Sequence, residues 1–190
     1  MTQPIVLDLE TQHAFSEVGY DFKKLKVSVV GIYDYATDDF RAYFENELSS
    51  LFARLEHASM IIGFNINKFD LPVLSPYYFG RMSQFTTVDI LEEVKKSLGF
   101  RVALDDLARA TLGVKKKGHG FLAIEYFRQK ELDKLKNYCL EDVKITKELF
   151  EYGEKNRKLY YLDARGKREI PVSFETRIIK QSPVSLSLPF

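Results

Sequence analysis

Four acidic residues stand where carboxylate chemistry can be built. Asp8 and Glu10 close the stretch "PIVLDLET" (4–11), Asp70 lies in "GFNINKFDLPVL" (63–74), and Asp142 follows Tyr138 by four residues in "NYCLEDVKI" (137–145). Acidic residues are depleted in strands, yet the first pair sits among Ile5, Val6, Leu7 and Leu9. Alternate strand residues share a face at about 3.3 Å rise, so the Cα atoms of Asp8 and Glu10 would lie roughly 6–7 Å apart. Two like charges that close raise each other's pKa unless a cation lies between them, and hard divalent ions such as Mg²⁺ prefer oxygen ligands.

Each element also has a plain local reading. Asp8 and Glu10 can be a solvated strand end. Asp70, two residues before Pro72, reads as a helix N-cap worth about 1 kcal/mol. Tyr138 and Asp142 share a helix face that borders the apolar stripe of Cys139 and Val143, where the hydroxyl can simply hydrogen-bond the acid. Asp89 in "TTVDIL" and Asp105–Asp106 in "ALDDLA" precede apolar-periodic segments and read as caps and first-turn acids rather than ligands. His119, between two glycines in "KKKGHGF", reads as an exposed loop histidine and a weaker rival for proton transfer.

The elements that must position these residues follow from periodicity. Strand alternation covers 4–10, 26–35 and 40–44, with "ATDD" turning between the last two. Helical spacing over 45–57 leads into the apolar run 59–65, a buried strand after a crossover helix. "LPVLSPYYFG", "TVDILEEVKKSL" and "LDDLARATLG" read as mainly helical, punctuated by Pro76, Gly80, Gly99 and Gly113. The longest helix pattern, 131–152, turns Leu132, Leu135, Cys139, Val143, Thr146 and Phe150 inward. "KLYYLDARGKREIPVSF" reads as a hairpin around "DARGK", with Arg165, Lys167 and Arg168 as a basic tip. This order implies an α/β layered domain whose mixed sheet is covered on both faces. Such folds place sites at the C-terminal ends of central strands, where Asp8 and Glu10 fall.

Bulk properties exclude other classes. The chain of 190 residues, 45% hydrophobic and 29% charged, is neither disordered nor fibrous. It suits one domain plus a tail. The single cysteine, Cys139, cannot form an intrachain disulfide, and no basic-then-apolar leader opens the sequence, so a reducing cytoplasm is expected. No apolar run approaches the roughly 20 residues that cross a bilayer. A net charge of +1 argues against a polyanion binder held by charge alone. Basic residues lead only after residue 150, and no polymerase or helicase motif follows there.

Together, D-x-E on the first strand, N-x₃-F-D about sixty residues on and Y-x₃-D on a late helix resemble the three motifs of the DEDD 3′–5′ exonucleases. These are ribonuclease H-like proteins, and the tyrosine-bearing (DEDDy) branch is the one matched. "VLDLET", "GFNINKFDLPVL" and "NYCLEDV" are similar to the proofreading exonuclease domain of family-B DNA polymerases and its stand-alone relatives. The histidine-bearing branch would place a histidine where Asn137 stands.

The resemblance implies a ribonuclease H-like mixed five-stranded sheet with helices on both faces over residues 1–152. A hairpin extension at 153–180 and a tail at 181–190 would follow. It implies two divalent ions, Mg²⁺ or Mn²⁺, one held by Asp8, Glu10 and Asp142, the other by Asp8 with Asp70 acting through water. These would drive an in-line displacement at phosphorus. Tyr138 would position the attacking water, since a phenol near pKa 10 is a poor base at neutral pH. Thr11, Asn65 and Phe69 would line the cleft for the terminal base, and Lys117, beside Lys115 and Lys116, would meet backbone phosphates. The implied activity is 3′–5′ hydrolysis of single-stranded DNA in repair or replication. An exoribonuclease and a non-catalytic nucleic-acid-binding module are the alternatives. The final "SLSLPF" (Ser185, Leu186, Ser187, Leu188, Pro189, Phe190) resembles the peptide by which bacterial replication and repair proteins dock on the sliding clamp, with Ser185 where glutamine is favoured.

Overall fold

A computed structural model of the chain describes residues 2–114 and 121–174. Lys115, Lys116, Lys117, His119 and the clamp-like peptide Ser185–Phe190 lie outside the described residues.

The strand alternation read at the start of the chain is realised as a meander. It comprises β1 (Ile5–Thr11), β2 (Val27–Asp34) and β3 (Asp39–Phe44), and α1 (Phe22–Leu25) precedes β2. The helix α2 (Leu48–Leu55) crosses over to β4 (Ile61–Gly63) and buries Leu48, Leu51, Phe52 and Leu55, the spacing of one helical face. After α3 (Asp70–Leu74) comes a three-residue strand, β5 (Thr87–Asp89), and then α4 (Ile90–Leu98). The five strands form one mixed sheet in the order β3-β2-β1-β4-β5, antiparallel on the β2 side of β1 and parallel on the β4 side. β1 is therefore central. "TVDILEEVKKSL" reads as mainly helical with Asp89 as its cap, and the structure adds that its opening "TVD" is the outer strand, too short to display a period of its own.

Both faces of the sheet are covered. Ile5, Leu7 and Leu9 point into a core shared with α2 and α3, whereas Val6 points the other way, into a core shared with α4, α5 (Leu104–Leu112) and α7 (Leu132–Asn156). By strand alternation Asp8 and Glu10 lie on this second face, under α7. Between α5 and α7 runs α6 (Phe121–Arg128), whose Ala123 packs with Val29, Leu135 and Cys139. α7 turns Leu135, Cys139, Val143 and Thr146 inward as its periodicity implies, while Leu132 is exposed at its first turn. Asp105 and Asp106 stand in the first turn of α5 and face its dipole, but Ala103 is the N-cap residue, so neither acid caps the helix.

The "DARGK" hairpin forms as expected, with β6 (Lys158–Asp163) and β7 (Gly166–Pro171) in antiparallel register. It does not extend the main sheet. Leu159 and Ile170 are buried in the second core, and Thr111 on α5 docks β6 by accepting the Tyr160 N–H (2.9 Å) and donating to the Tyr160 carbonyl (3.2 Å). The tip residues Arg165, Lys167 and Arg168 are exposed, and Arg168 pairs with Asp163. Among the described residues no helix is long and apolar enough to cross a membrane.

One small residue sets how closely α7 approaches. Gly31 on β2 pairs with Asp8 on β1, and residues paired across a ladder point to the same face. A Cβ on Gly31 would come within 2.9 Å of both Cys139 Sγ and Val143 Cγ2. The missing side chain is what lets α7 lie flat beside Asp8. Gly31→Ala is expected to push the helix outward and lower stability by about 1–3 kcal/mol, the usual effect of overpacking; urea unfolding of the two proteins reads the difference.

Candidate metal centre

The site is assembled from β1 and α7. β1 presents Asp8 and Glu10 half-buried on the α7 side, and the strand register shifts between Glu10 and Thr11, ending the regular ladder there. From above, α7 lowers Tyr138 and Asp142, one turn apart and both buried. The result is a cluster in which one carboxylate oxygen each from Asp8, Glu10 and Asp142 lie within 4.8 Å of one another. At roughly 5 Å and an effective dielectric near 20, each pair of unit charges repels by about 3.5 kcal/mol. An all-oxygen donor set of this charge suits a hard divalent cation.

Asp70 approaches β1 along the edge that faces β4. The parallel pairing of β1 with β4 covers only Ile5 and Val6, so the Leu9 N–H has lost its ladder partner. Asp70 Oδ1 accepts that N–H at 3.1 Å. It is therefore not a helix cap: it is the first residue of α3, the N-cap position belongs to Phe69, and the carboxylate reaches across to the strand between Asp8 and Glu10. Burial pushes its carboxyl well above the usual range and nearby Asp89 adds to this, while its own N–H and that of Leu9 pull the other way. Asp70 lies outside the three-carboxylate cluster.

The lone thiol lies beneath the acids. Cys139 is fully buried, its Sγ 3.5 Å from the Asp8 carbonyl. Burial, and then the charges of Asp8, Glu10 and Asp142, hold its pKa well above the thiol range, so it is a neutral packing group. Tyr138 sets its ring edge-on against Tyr126, with centroids 6.5 Å apart. Asn137 is exposed, beside Leu140 and Glu141 in a separate groove.

Next to Glu10 opens a cleft of about 380 Å³ lined by Thr11, His13, Phe15, Tyr20, Phe69 and Phe121. Thr11 and Phe69, both singled out from the sequence, thus share one wall; Thr11 is buried and its hydroxyl donates to the His13 carbonyl at 2.9 Å. Phe69 packs edge-on against Phe15 and Phe22. Asn65 adopts φ +64, and its main chain turns the exit of β4 toward α3. Nothing in the hydrophobic periodicity pointed to His13, Phe15, Tyr20 or Phe121, which come from an irregular loop and a helix start. For His13, Phe15 and Tyr20 the one signal is aromatic density directly after "DLET", and Phe121 has none.

A carboxyl whose folded pKa is raised destabilises the fold as pH climbs above its unfolded value of about 4, because the unfolded chain ionises first. Without divalent metal, Asp70→Asn, which keeps an oxygen for the Leu9 N–H, should therefore raise Tm near neutral pH. Thermal melts in chelator should show this gain shrinking toward pH 4.

Comparison with known proteins agrees with this architecture. No curated protein matches the chain. Among solved structures it is similar to the family B DNA polymerase from the hyperthermophilic archaeon Pyrobaculum calidifontis. The TM-score is 0.62 at 18% identity, covering 80% of this chain and 24% of the polymerase. The likeness is one of fold, and the chain spans about a quarter of the polymerase's length. The family model described as the RNase_H superfamily matches residues 5–153, more than half of the sequence. The chain belongs to the RNase H superfamily.

Proposed function

We propose that this chain is a metal-dependent 3′–5′ exonuclease of the DEDDy type that acts on single-stranded ends, DNA in preference to RNA. The observation that carries the proposal is the gathering of Asp8, Glu10 and Asp142 within 4.8 Å at the end of the central strand. Fold similarity to a DNA polymerase adds weight to DNA as the polymer. Residues 1–152 are the unit proposed to act, with the β6–β7 hairpin packed on it as an extension.

In this reading Asp8, Glu10 and Asp142 would hold one divalent ion, Mg²⁺ or Mn²⁺, and Asp8, with Asp70 acting through water, would hold a second. Such ions, once bound, lower the pKa of water and neutralise charge at the scissile phosphate and leaving oxygen. The protein's own part is placement. Tyr138, one turn before Asp142 and packed against Tyr126, orients the attacking water through its hydroxyl. Phe69, with Phe15, Tyr20 and Phe121 around it, offers aromatic faces and edges to the terminal base, each stacked base being worth about 1–3 kcal/mol without reading sequence. Thr11 and Asn65 border that base and its sugar.

Incubating the protein with 5′-labelled single-stranded DNA and Mn²⁺ should give a ladder shortening from the 3′ end, abolished by EDTA. Asp142→Asn should slow it by about a thousandfold, or roughly 4 kcal/mol of barrier. Tyr138→Phe should slow it about 10–100-fold, the scale of a misplaced reactant. Matched RNA should be degraded more slowly; faster loss of RNA would make the enzyme an exoribonuclease. Untouched DNA and RNA would leave a binding module and refute the proposal.

A further inference from the structure

Asp89 ends β5 and caps α4, as the sequence implies, but its carboxylate holds more than a helix. Oδ1 accepts the N–H groups of Leu91 (3.0 Å) and Glu92 (3.2 Å), which suffice for an N-cap. The same oxygen accepts the Asn65 N–H at 2.9 Å, and Oδ2 accepts the Asn67 N–H at 3.1 Å. Both extra donors belong to the loop between β4 and α3, and Asp89 itself is only 4% exposed.

That loop delivers Asp70. Its second residue, Asn65, sits at φ +64, a left-handed turn that asparagine tolerates better than most side chains. The Asn65 carbonyl then accepts from Lys68 and Phe69, the Ile66 carbonyl accepts from Leu71, and Asp70 emerges facing the Leu9 N–H. The Asn67 side chain is held as well, by Thr87 at 2.8 Å and Glu92 at 3.1 Å. Asp70 is thus held both by its bond to Leu9 and by a loop whose main chain is clamped at two points by one carboxylate.

We propose that Asp89 is a positioning residue: by holding the main chain of Asn65 and Asn67 it sets where Asp70 stands relative to Asp8, and with it the affinity of the cation those two share. This rests on the reading of Asp8, Glu10, Asp70 and Asp142 as the metal-holding set. It concerns one of the two ions alone, since the cluster of Asp8, Glu10 and Asp142 is built from β1 and α7 and makes no use of the loop.

The variants Asp89→Ser and Asp89→Ala separate the two tasks. Serine caps a helix about as well as aspartate, but its short side chain cannot also span to Asn67. Mn²⁺ would be titrated into each protein by calorimetry with thymidine monophosphate present, beside thermal melts. The expected result is two Mn²⁺ sites in the unaltered protein. In Asp89→Ser the weaker site should lose about 10–100-fold in affinity, the usual effect of removing a group that orients a ligand, with the tighter site unchanged and a Tm lowered by the freed loop N–H but less than in Asp89→Ala, which also loses the cap. Asp89→Ala should show the same loss together with a still lower Tm. Equal isotherms for Asp89→Ser and the unaltered protein, or equal weakening of both sites, would overturn the positioning role while leaving the metal centre intact. An unaltered protein that binds no Mn²⁺ would overturn the metal centre itself, and the proposal with it.

Discussion

Mutual repulsion among carboxylates is the constraint to which the rest of the structure answers. Asp8, Glu10 and Asp142 bring oxygens within 4.8 Å of one another in a half-buried place, and Asp70 is buried with its carboxylate on the N–H of Leu9, between Asp8 and Glu10 on the same strand. Like charges at this range oppose the fold unless their partners offset them. Such crowding persists only where the surrounding packing over-determines it, and a divalent cation turns it from a burden into a binding site.

The over-determination is visible in the sheet and its helices. β1 has neighbours on both edges, and its odd residues anchor it in the core shared with α2 and α3. Its even residues are then free to change character along the strand, from the apolar Val6 to Asp8 and Glu10. Gly31, the ladder partner of Asp8, leaves room for α7 to settle against the sheet, and Cys139 and Val143 fill the contact. This close approach brings Asp142 down to the strand acids. Where β4 leaves β1, the N–H of Leu9 is released from the ladder, and Asp70 takes it. The end of a strand pairing has thereby become a place for a side chain.

Much of this was legible in the sequence because it is periodic. Alternation along "PIVLDLET" put Asp8 and Glu10 on one face, and helical spacing in "NYCLEDV" put Tyr138 and Asp142 on another. The order of elements implied a mixed sheet between two helical layers. What escaped was short or aperiodic. β5 is three residues long and runs straight into α4, so "TVD" showed no strand pattern of its own. Asp70 and Asp89 both stand where a helix cap is expected, and only Asp89 is one. A tertiary contact to Leu9 decides the first case and two loop N–H groups enlarge the second, and neither partner is close in sequence. The cleft aromatics Phe15, Tyr20 and Phe121 come together from a loop and a distant helix, a meeting that no local pattern encodes.

The most direct test of the metal centre is anomalous diffraction from crystals of the protein soaked in Mn²⁺. A strong peak is expected among Asp8, Glu10 and Asp142, lost in crystals of the Asp142→Asn variant. Density that shows these three carboxylates solvated, with no anomalous peak between them at millimolar Mn²⁺, would contradict it.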